Sequence, residues 1–375
     1  MTDARPLARD FARECLLPAR EAGAPLPEPP PGLRDWWLPP ALGGRTLAEA
    51  VDIVDELAYG DAGFAFSRLV SVIGAIATWL YGEPGLAELL PGLAERGGAF
   101  ATVASERVAG SELDRMATVV VHEADTVVLT GEKLFSTNAA EAEYLLVAAR
   151  YEGAGPDDPP YVLVVVPAGT AGLTVGQRWG TSGLTTSPVY PVSLADCRVP
   201  AGNVLHGHGL RLLEVCLNPS RVLIAATAIG MARRIRDVCL EHAATRTVAG
   251  APLTAHPLFG DKLAQIEIDV LAMRALCRSA AAEYDAIMAG PDPAAAFALR
   301  GALKSAVAAK VFCGRAGWAA ASVASELFGG LGYTDAVPIG RLLHDMRYVS
   351  LVEGGEDVLR ELIYRRHVVP RARRA

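Results

Sequence analysis

Two stretches decide how this chain folds: YLLVAAR at 144–150 and YVLVVVP at 161–167. Each is a short β-branched run bounded by turn residues, and no helical repeat lies between them. Working outward, ATVVVH at 117–122, TVVLT at 126–130 and VYPVSL at 189–194 have the same character. Glu123-Ala124-Asp125 suits a tight hairpin turn, and Gly153 to Pro160 reads as a loop. Strands at this spacing, without intervening helices, predict an antiparallel sheet or barrel.

On either side of this region the period turns helical. Pro27 to Pro31 is a stiff connector that no helix interior tolerates. Thr46-Leu47-Ala48-Glu49 spells a capping box; Leu47, Val51, Val54 and Leu57 follow at helical spacing, and Gly60 suits the stop. Beyond the sheet, 221–246, 257–289, 293–327 and 355–367 read as helices, broken at Gly250-Ala251-Pro252, Gly290-Pro291 and Gly329-Gly330-Leu331-Gly332. The expectation is an α+β, mainly α protein in three parts. These are an N-terminal helical domain (1–98), a middle antiparallel β-domain (99–205) and a C-terminal four-helix bundle (206–375) packed against the first.

Composition narrows the function. Half of the 375 residues are hydrophobic and a fifth are charged, which suits a globular chain with a sizeable core. A net charge of -7 gives no general affinity for nucleic acid; the basic tail from Arg365 to Arg374 reads as a solvated end. The apolar run Leu69–Tyr81 is too short for the roughly 20 residues of a membrane span and reads as a core helix. Six scattered cysteines without a CxxC pair suit a reduced, cytoplasmic setting. His206 and His208 lack a third ligand, so no metal site is expected.

Three segments could carry chemistry: AGSE at 109–112, GEKLFSTNAA at 131–140, and FGGLGY at 328–333 followed by LVEGGEDVLR at 351–360. Small-residue backbone such as AGS can approach a flat ring and offer amides to an anion, though it is commonplace. On a strand, Phe135 and Thr137 share one face, an aromatic beside a hydroxyl, although a strand Phe is most often core. The GGLG break could cradle phosphate or simply turn between helices; it lacks the spacing of a dinucleotide fingerprint. Glu353, beside two glycines, could equally be a helix-start acid.

Taken together and in order, these segments resemble the acyl-CoA dehydrogenase family over nearly the whole chain. That family's TEPxAGSD stretch is similar to Ser105-Glu106-Arg107-Val108-Ala109-Gly110-Ser111-Glu112, and its GxKxFITNA strand to 131–139. CRVPAGNVLH at 197–206 resembles VRVPxxNxLG, and Arg246 with Gly250-Ala251-Pro252-Leu253 resembles RxxFGxPI. FGGLGYTDAVPIGRLLHDMR at 328–347 is similar to the GGxGY run, and LVEGGED to IYEGTxE, whose Glu is the catalytic base.

The resemblance implies FAD as cofactor and an acyl thioester, on CoA or on a carrier protein, as substrate. Glu353 would take the α-proton. Thr102, Ala104, Ser105, Gly110 and Ser111 would line the flavin and, at Ser111, the start of the acyl chain. Phe135 would pack on the flavin ring, with Thr137, Gly355 and Asp357 near it. Asn218, Arg221, Val222 and Gly354 would border the substrate. Arg246 and the segment around His256 would reach the FAD of a neighbouring subunit, with Glu326, Gly329 and Gly330 along its phosphates, so a homodimer or homotetramer is implied. Electrons would leave to an electron-transferring flavoprotein or, in an oxidase, to oxygen.

Several positions depart from the pattern. Gly355 replaces a Thr, Ala249 an aromatic, Pro257 and Glu326 a Gln each, and Arg107 a Pro. These changes imply altered FAD contacts, a specialised substrate or, at the extreme, a member that has lost its flavin. Some members take the base from the position before the bundle arginine; here that is Ser220, which leaves Glu353 as the matching candidate.

Overall fold

A computed structural model describes residues 3–152 and 159–369. Most of the expected 153–160 loop and the tail from Pro370 onward lie outside the described residues.

The N-terminal part is helical: α1 (Arg5–Phe11), α2 (Leu17–Glu21), α3 (Leu47–Gly60), α4 (Ala62–Leu69), α5 (Ser71–Tyr81), α6 (Pro84–Ala87) and α7 (Leu89–Glu95). The capping box forms as expected: Glu49 N donates to Thr46 Oγ1 and Thr46 N to Glu49 Oε2. Asp285, from a distant helix, accepts from Leu47 N and Ala48 N at 2.7 and 3.0 Å, so the same helix start also docks the N-terminal part on the bundle. α3 stops at Gly60, and Asp61 caps α4 by accepting from Phe64 N. The apolar run at 69–81 is a buried core helix. Ala62–Tyr81 and Gly209–Thr245 are long and apolar enough to cross a membrane, yet both are mostly buried within the protein.

The middle part is one sheet of seven strands: β1 (Phe100–Val103), β2 (Val119–Glu123), β3 (Thr126–Thr137), β4 (Tyr144–Glu152), β5 (Tyr161–Pro167), β6 (Leu173–Val175) and β7 (Val189–Pro200). It is antiparallel at β2–β3, β3–β7, β4–β5 and β6–β7. The expectation of a wholly antiparallel sheet is corrected at two pairings: β1 and β2 both run parallel to β4, against 144–147 and 150–152. Both therefore use the same edge of β4, and the chain between them must leave the sheet. That excursion carries the AGS segment.

The C-terminal part holds α8 (Gly209–Thr245), α9 (Pro257–Met288), α10 (Pro293–Arg300), α11 (Lys304–Phe328), α12 (Pro338–Arg347) and α13 (Glu356–Ile363). α8 starts twelve residues earlier than expected and runs through Pro219, whose missing N–H costs one intrahelical bond in an otherwise buried rod. The expected single helix over 293–327 is two, because Gly301 adopts φ +68° and ends the first. α3 lies very close against α8, where a Cβ on Gly230 would stand 2.2 Å from Asp55 O. Arg233 fastens the contact with bonds to Asp55 and Glu56, and Arg274 of α9 adds a second cation on Asp55.

Candidate active site

Where β1 leaves β4, two strand carbonyls lose their partners, and Lys133 of β3 fills the gap. Its Nζ donates to Ala104 O at 3.0 Å, to Ala148 O at 2.6 Å and to Glu106 Oε1 at 2.8 Å. Glu106 in turn accepts from Ala117 N and Thr118 N. Burial alone would raise the Glu106 carboxyl, but Lys133 and these donors hold it below the usual carboxylate range. Burial pushes the Lys133 ammonium down, against the pull of Glu106. This pair fixes both ends of the 104–118 excursion, leaving Gly110 and Ser111 exposed at its tip with open space above Gly110.

The neighbouring strand end supplies an exposed aromatic wall. Phe135 is 62% exposed and leans on Trp179, with ring centroids 5.8 Å apart; Trp179 Nε1 donates to Leu134 O. Thr137 follows on the same face, while Ser136 points into the sheet. α4 joins this strand end to the bundle. Asn138 Nδ2 donates to Ser67 O, and Phe66 packs edge-on against Tyr348 at 4.9 Å. Five residues beyond Tyr348 lies Glu353.

Glu353 has φ +53° and Gly354 φ +96°, two consecutive left-handed residues. Ser220 Oγ donates to Glu353 Oε1 at 2.5 Å. The residue is half-buried as a whole, yet its Oε2 is out of solvent contact and has no partner. Arg221 Nε and Nη2 donate to Glu353 O at 3.3 and 3.2 Å, and Lys310 Nζ donates to Gly354 O at 3.0 Å. Burial pushes the Glu353 carboxyl above its ordinary value; Ser220, Arg221 and Lys310 each pull it back without reversing the shift. The site is thus a buried carboxylate with one oxygen held and the other unengaged, and α4 ties its neighbourhood to the Phe135 strand end through the Asn138–Ser67 bond and the Phe66–Tyr348 contact.

Residues 101–197 match the acyl-CoA dehydrogenase middle domain and residues 207–368 the acyl-CoA dehydrogenase C-terminal domain. The cyclohexane-1-carbonyl-CoA dehydrogenase of Geobacter metallireducens is 30% identical over 343 residues, covering 89% of this chain and 86% of that protein. The chain belongs to the acyl-CoA dehydrogenase family. It is accordingly an oxidoreductase of the class acting on CH–CH groups. Solved structures share the fold: butyryl-CoA dehydrogenase from Megasphaera elsdenii has a TM-score of 0.85 at 24% identity, covering 96% of this chain and 97% of its own. The prolyl acyl carrier protein oxidase AnaB has a TM-score of 0.80 at 20% identity, covering 96% of each chain.

In this acyl-CoA dehydrogenase most of the expected flavin residues gather in two places, while Gly355 and Asp357 lie apart from both at the start of α13. Thr102, Ala104, Ser105, Gly110, Ser111, Phe135 and Thr137 lie around the excursion and strand end just described. Arg246 ends α8, 25 positions and about 38 Å along the helix from Arg221. There His242 stacks on Phe328 at 4.1 Å, His256 Nε2 meets Val248 O, and Gly329 ends α11 at φ +59°. Glu326 bonds to Lys262 Nζ at 2.8 Å, so the acid that looked out of place beside a phosphate carries its own cation.

Each of the two places fits part of an FAD. Thr102 Oγ1 is buried without a partner, and Gly110, Gly329 and Gly330 have no atom where a Cβ would reach. Among the expected substrate residues, Asn218 is corrected: Nδ2 donates to Gly301 O and Oδ1 accepts from Leu303 N, so the amide holds the α10–α11 break. Val222 is wholly buried in the core. Asp357 is exposed and pairs with Arg360 in the first turn of α13, where it serves the helix start. Sequence reasoning missed Lys310, Trp179 and the Lys133–Glu106 pair. For Lys310 a signal existed, a lysine at i, i+4 and i+7 with Gly314 and Gly317 on an apolar helix face.

Proposed function

We propose that this chain is an FAD-dependent dehydrogenase that introduces an α,β double bond into an acyl thioester, with Glu353 as the base. The observation that carries the reading is the Glu353 carboxylate, with Oε1 held by Ser220 and Oε2 buried and unengaged. A proton beside a thioester carbonyl is weakly acidic, so its acceptor must be desolvated, fixed and ionised at working pH. Burial makes Glu353 more basic, while Ser220 fixes which oxygen faces the substrate. Bound FAD supplies a two-electron acceptor for the β-hydride. Glu353 Oε2 would take the α-proton, the C–H electron pair it leaves behind would become the double bond, and the β-hydrogen would leave with its pair to the bound cofactor.

Thr102, Ser105, Gly110 and Ser111 would hold the flavin from the sheet side, with Phe135 and Trp179 as its aromatic wall. Arg246, His256, Glu326 with its Lys262, and Gly329-Gly330 would serve a partner subunit's FAD, because they lie too far along α8 to share one site with Glu353. A homodimer or homotetramer in the cytoplasm, passing electrons to an electron-transferring flavoprotein, follows from that reading. Both CoA and carrier-protein thioesters suit a site built to recognise the reacting end, and paired assays with the two carriers decide between them.

Glu353→Gln tests the reading. The variant should bind FAD and show an unaltered flavin spectrum, yet lose turnover by about 10²–10⁴-fold, the usual contribution of a general base. Full turnover in this variant would sink the assignment, and a protein that refuses added FAD would point instead to a non-catalytic relative.

A further inference from the structure

The carbonyls of the two left-handed residues at the site are each held by a buried cation. Arg221, reaching from α8, takes Glu353 O, and Lys310, reaching from α11, takes Gly354 O. Lys310 is 1% exposed, so its ammonium has given up water for this place. An isolated buried lysine is costly, and a helix face of Lys310, Gly314 and Gly317 has no packing need for one. Gly314 and Gly317 explain how it reaches: a Cβ on them would stand 2.7 Å from Ser350 Oγ and 2.5 Å from Met346 Sδ, so α11 lies close against the 346–354 stretch.

Resting on the reading of Glu353 as the base, we propose that Lys310 is its positioning residue. Its ammonium pins the Gly354 carbonyl to hold the left-handed turn, and its charge keeps the Glu353 carboxylate ionised until substrate arrives. The charged and titratable groups around this point act in a definite sense. Ser220 and Arg221 from α8 and Lys310 from α11 favour the Glu353 anion, while desolvation opposes it. Lys310 itself is drawn toward Glu353 and Glu356 and repelled by Arg221. Arg221 is balanced by Glu353 and Glu214 against Arg366. Tyr348 feels the Glu353 charge, and its hydroxyl pairs with Thr227 Oγ1. Removing Lys310 takes away one of two cations that balance a buried anion.

The test is the protonation of Glu353 in Lys310→Met and Lys310→Arg, read in the FAD-loaded protein in two ways. The first is the acidic limb of the kcat/KM–pH profile. The second is the infrared carboxyl stretch of Glu353, assigned by its loss in Glu353→Gln. In Lys310→Met both midpoints should rise by about one to three pH units, the span for removing a unit charge about 12 to 4 Å away at an effective dielectric near 20. Lys310→Arg should restore them. A uniform fall in rate with unmoved midpoints would overturn the proposal, because a merely structural lysine would do that. The infrared midpoint does not depend on turnover, so it tests Lys310 even if Glu353→Gln shows that the base lies elsewhere.

Discussion

Replacing Lys310 by Met should make the protein more stable. Burial, against the attraction of Glu353, brings the Lys310 pKa from 10.5 down to about 8. A lysine whose charge is harder to hold in the fold than in the open chain costs the fold stability only while it is charged. The penalty is absent above the ordinary lysine value and complete below about 8. Across that gap of about 2.5 pH units the penalty near pH 7 is about 3 kcal/mol. Methionine has similar reach and no charge, but it cannot donate to Gly354 O, which gives back about 1 kcal/mol. The net expectation is stabilisation by about 2 kcal/mol near pH 7. Urea unfolding at fixed protein concentration, followed by helical circular dichroism, reads this directly. The advantage of the variant should shrink as pH rises from 8 toward 10.5. A variant less stable at pH 7, or an advantage equal at both pH values, would refute the electrostatic argument.

Ser220→Ala removes the donor to Glu353 Oε1, one of the groups that lowers this carboxyl. With Glu353 as the proposed base, which must be deprotonated to act, the acidic limb should move up by about one pH unit. A stopped-flow reduction profile should show a tenfold loss on the acid side and little change at high pH. Lys133→Met leaves Glu106 buried without its cation and frees Ala104 O and Ala148 O. It should cost about 3–5 kcal/mol in chemical unfolding and speed FAD release measured by dialysis. Gly230→Ala forces a Cβ to within 2.2 Å of Asp55 O. Moving α8 off α3 should cost about 3 kcal/mol or more, visible as a fall in Tm of several degrees.

The sequence carried the helical–sheet–helical division because hydrophobic period is local: YLLVAAR and YVLVVVP became β4 and β5 nearly residue for residue. It did not carry β6, three residues long, nor β1, whose FATV follows two glycines and offers too short a pattern. Parallel pairing of β1 and β2 with β4 was not legible, since partner choice depends on how the excursion between them is anchored. The expected helix over 293–327 ran straight through Gly301, and nothing local marks the break; Asn218, more than eighty residues earlier, receives that turn. At the site, the motif segments named Glu353 and the AGS tip. Lys133 and Lys310 escaped because each acts on backbone carbonyls that no pairwise motif records.

The left-handed backbone at Glu353 has a consequence for anyone who diversifies this protein. A non-glycine residue at φ +53° costs about 1 kcal/mol that Gly or Asn would largely avoid. A library sorted only for heat resistance would therefore drift toward Gly or Asn at 353, helped by an apolar side chain at 310. If Glu353 is the base proposed above, its winners would be well-folded proteins with nothing left to take the proton. Selection at these two positions has to be coupled to turnover, or the chemistry will be the first thing it discards.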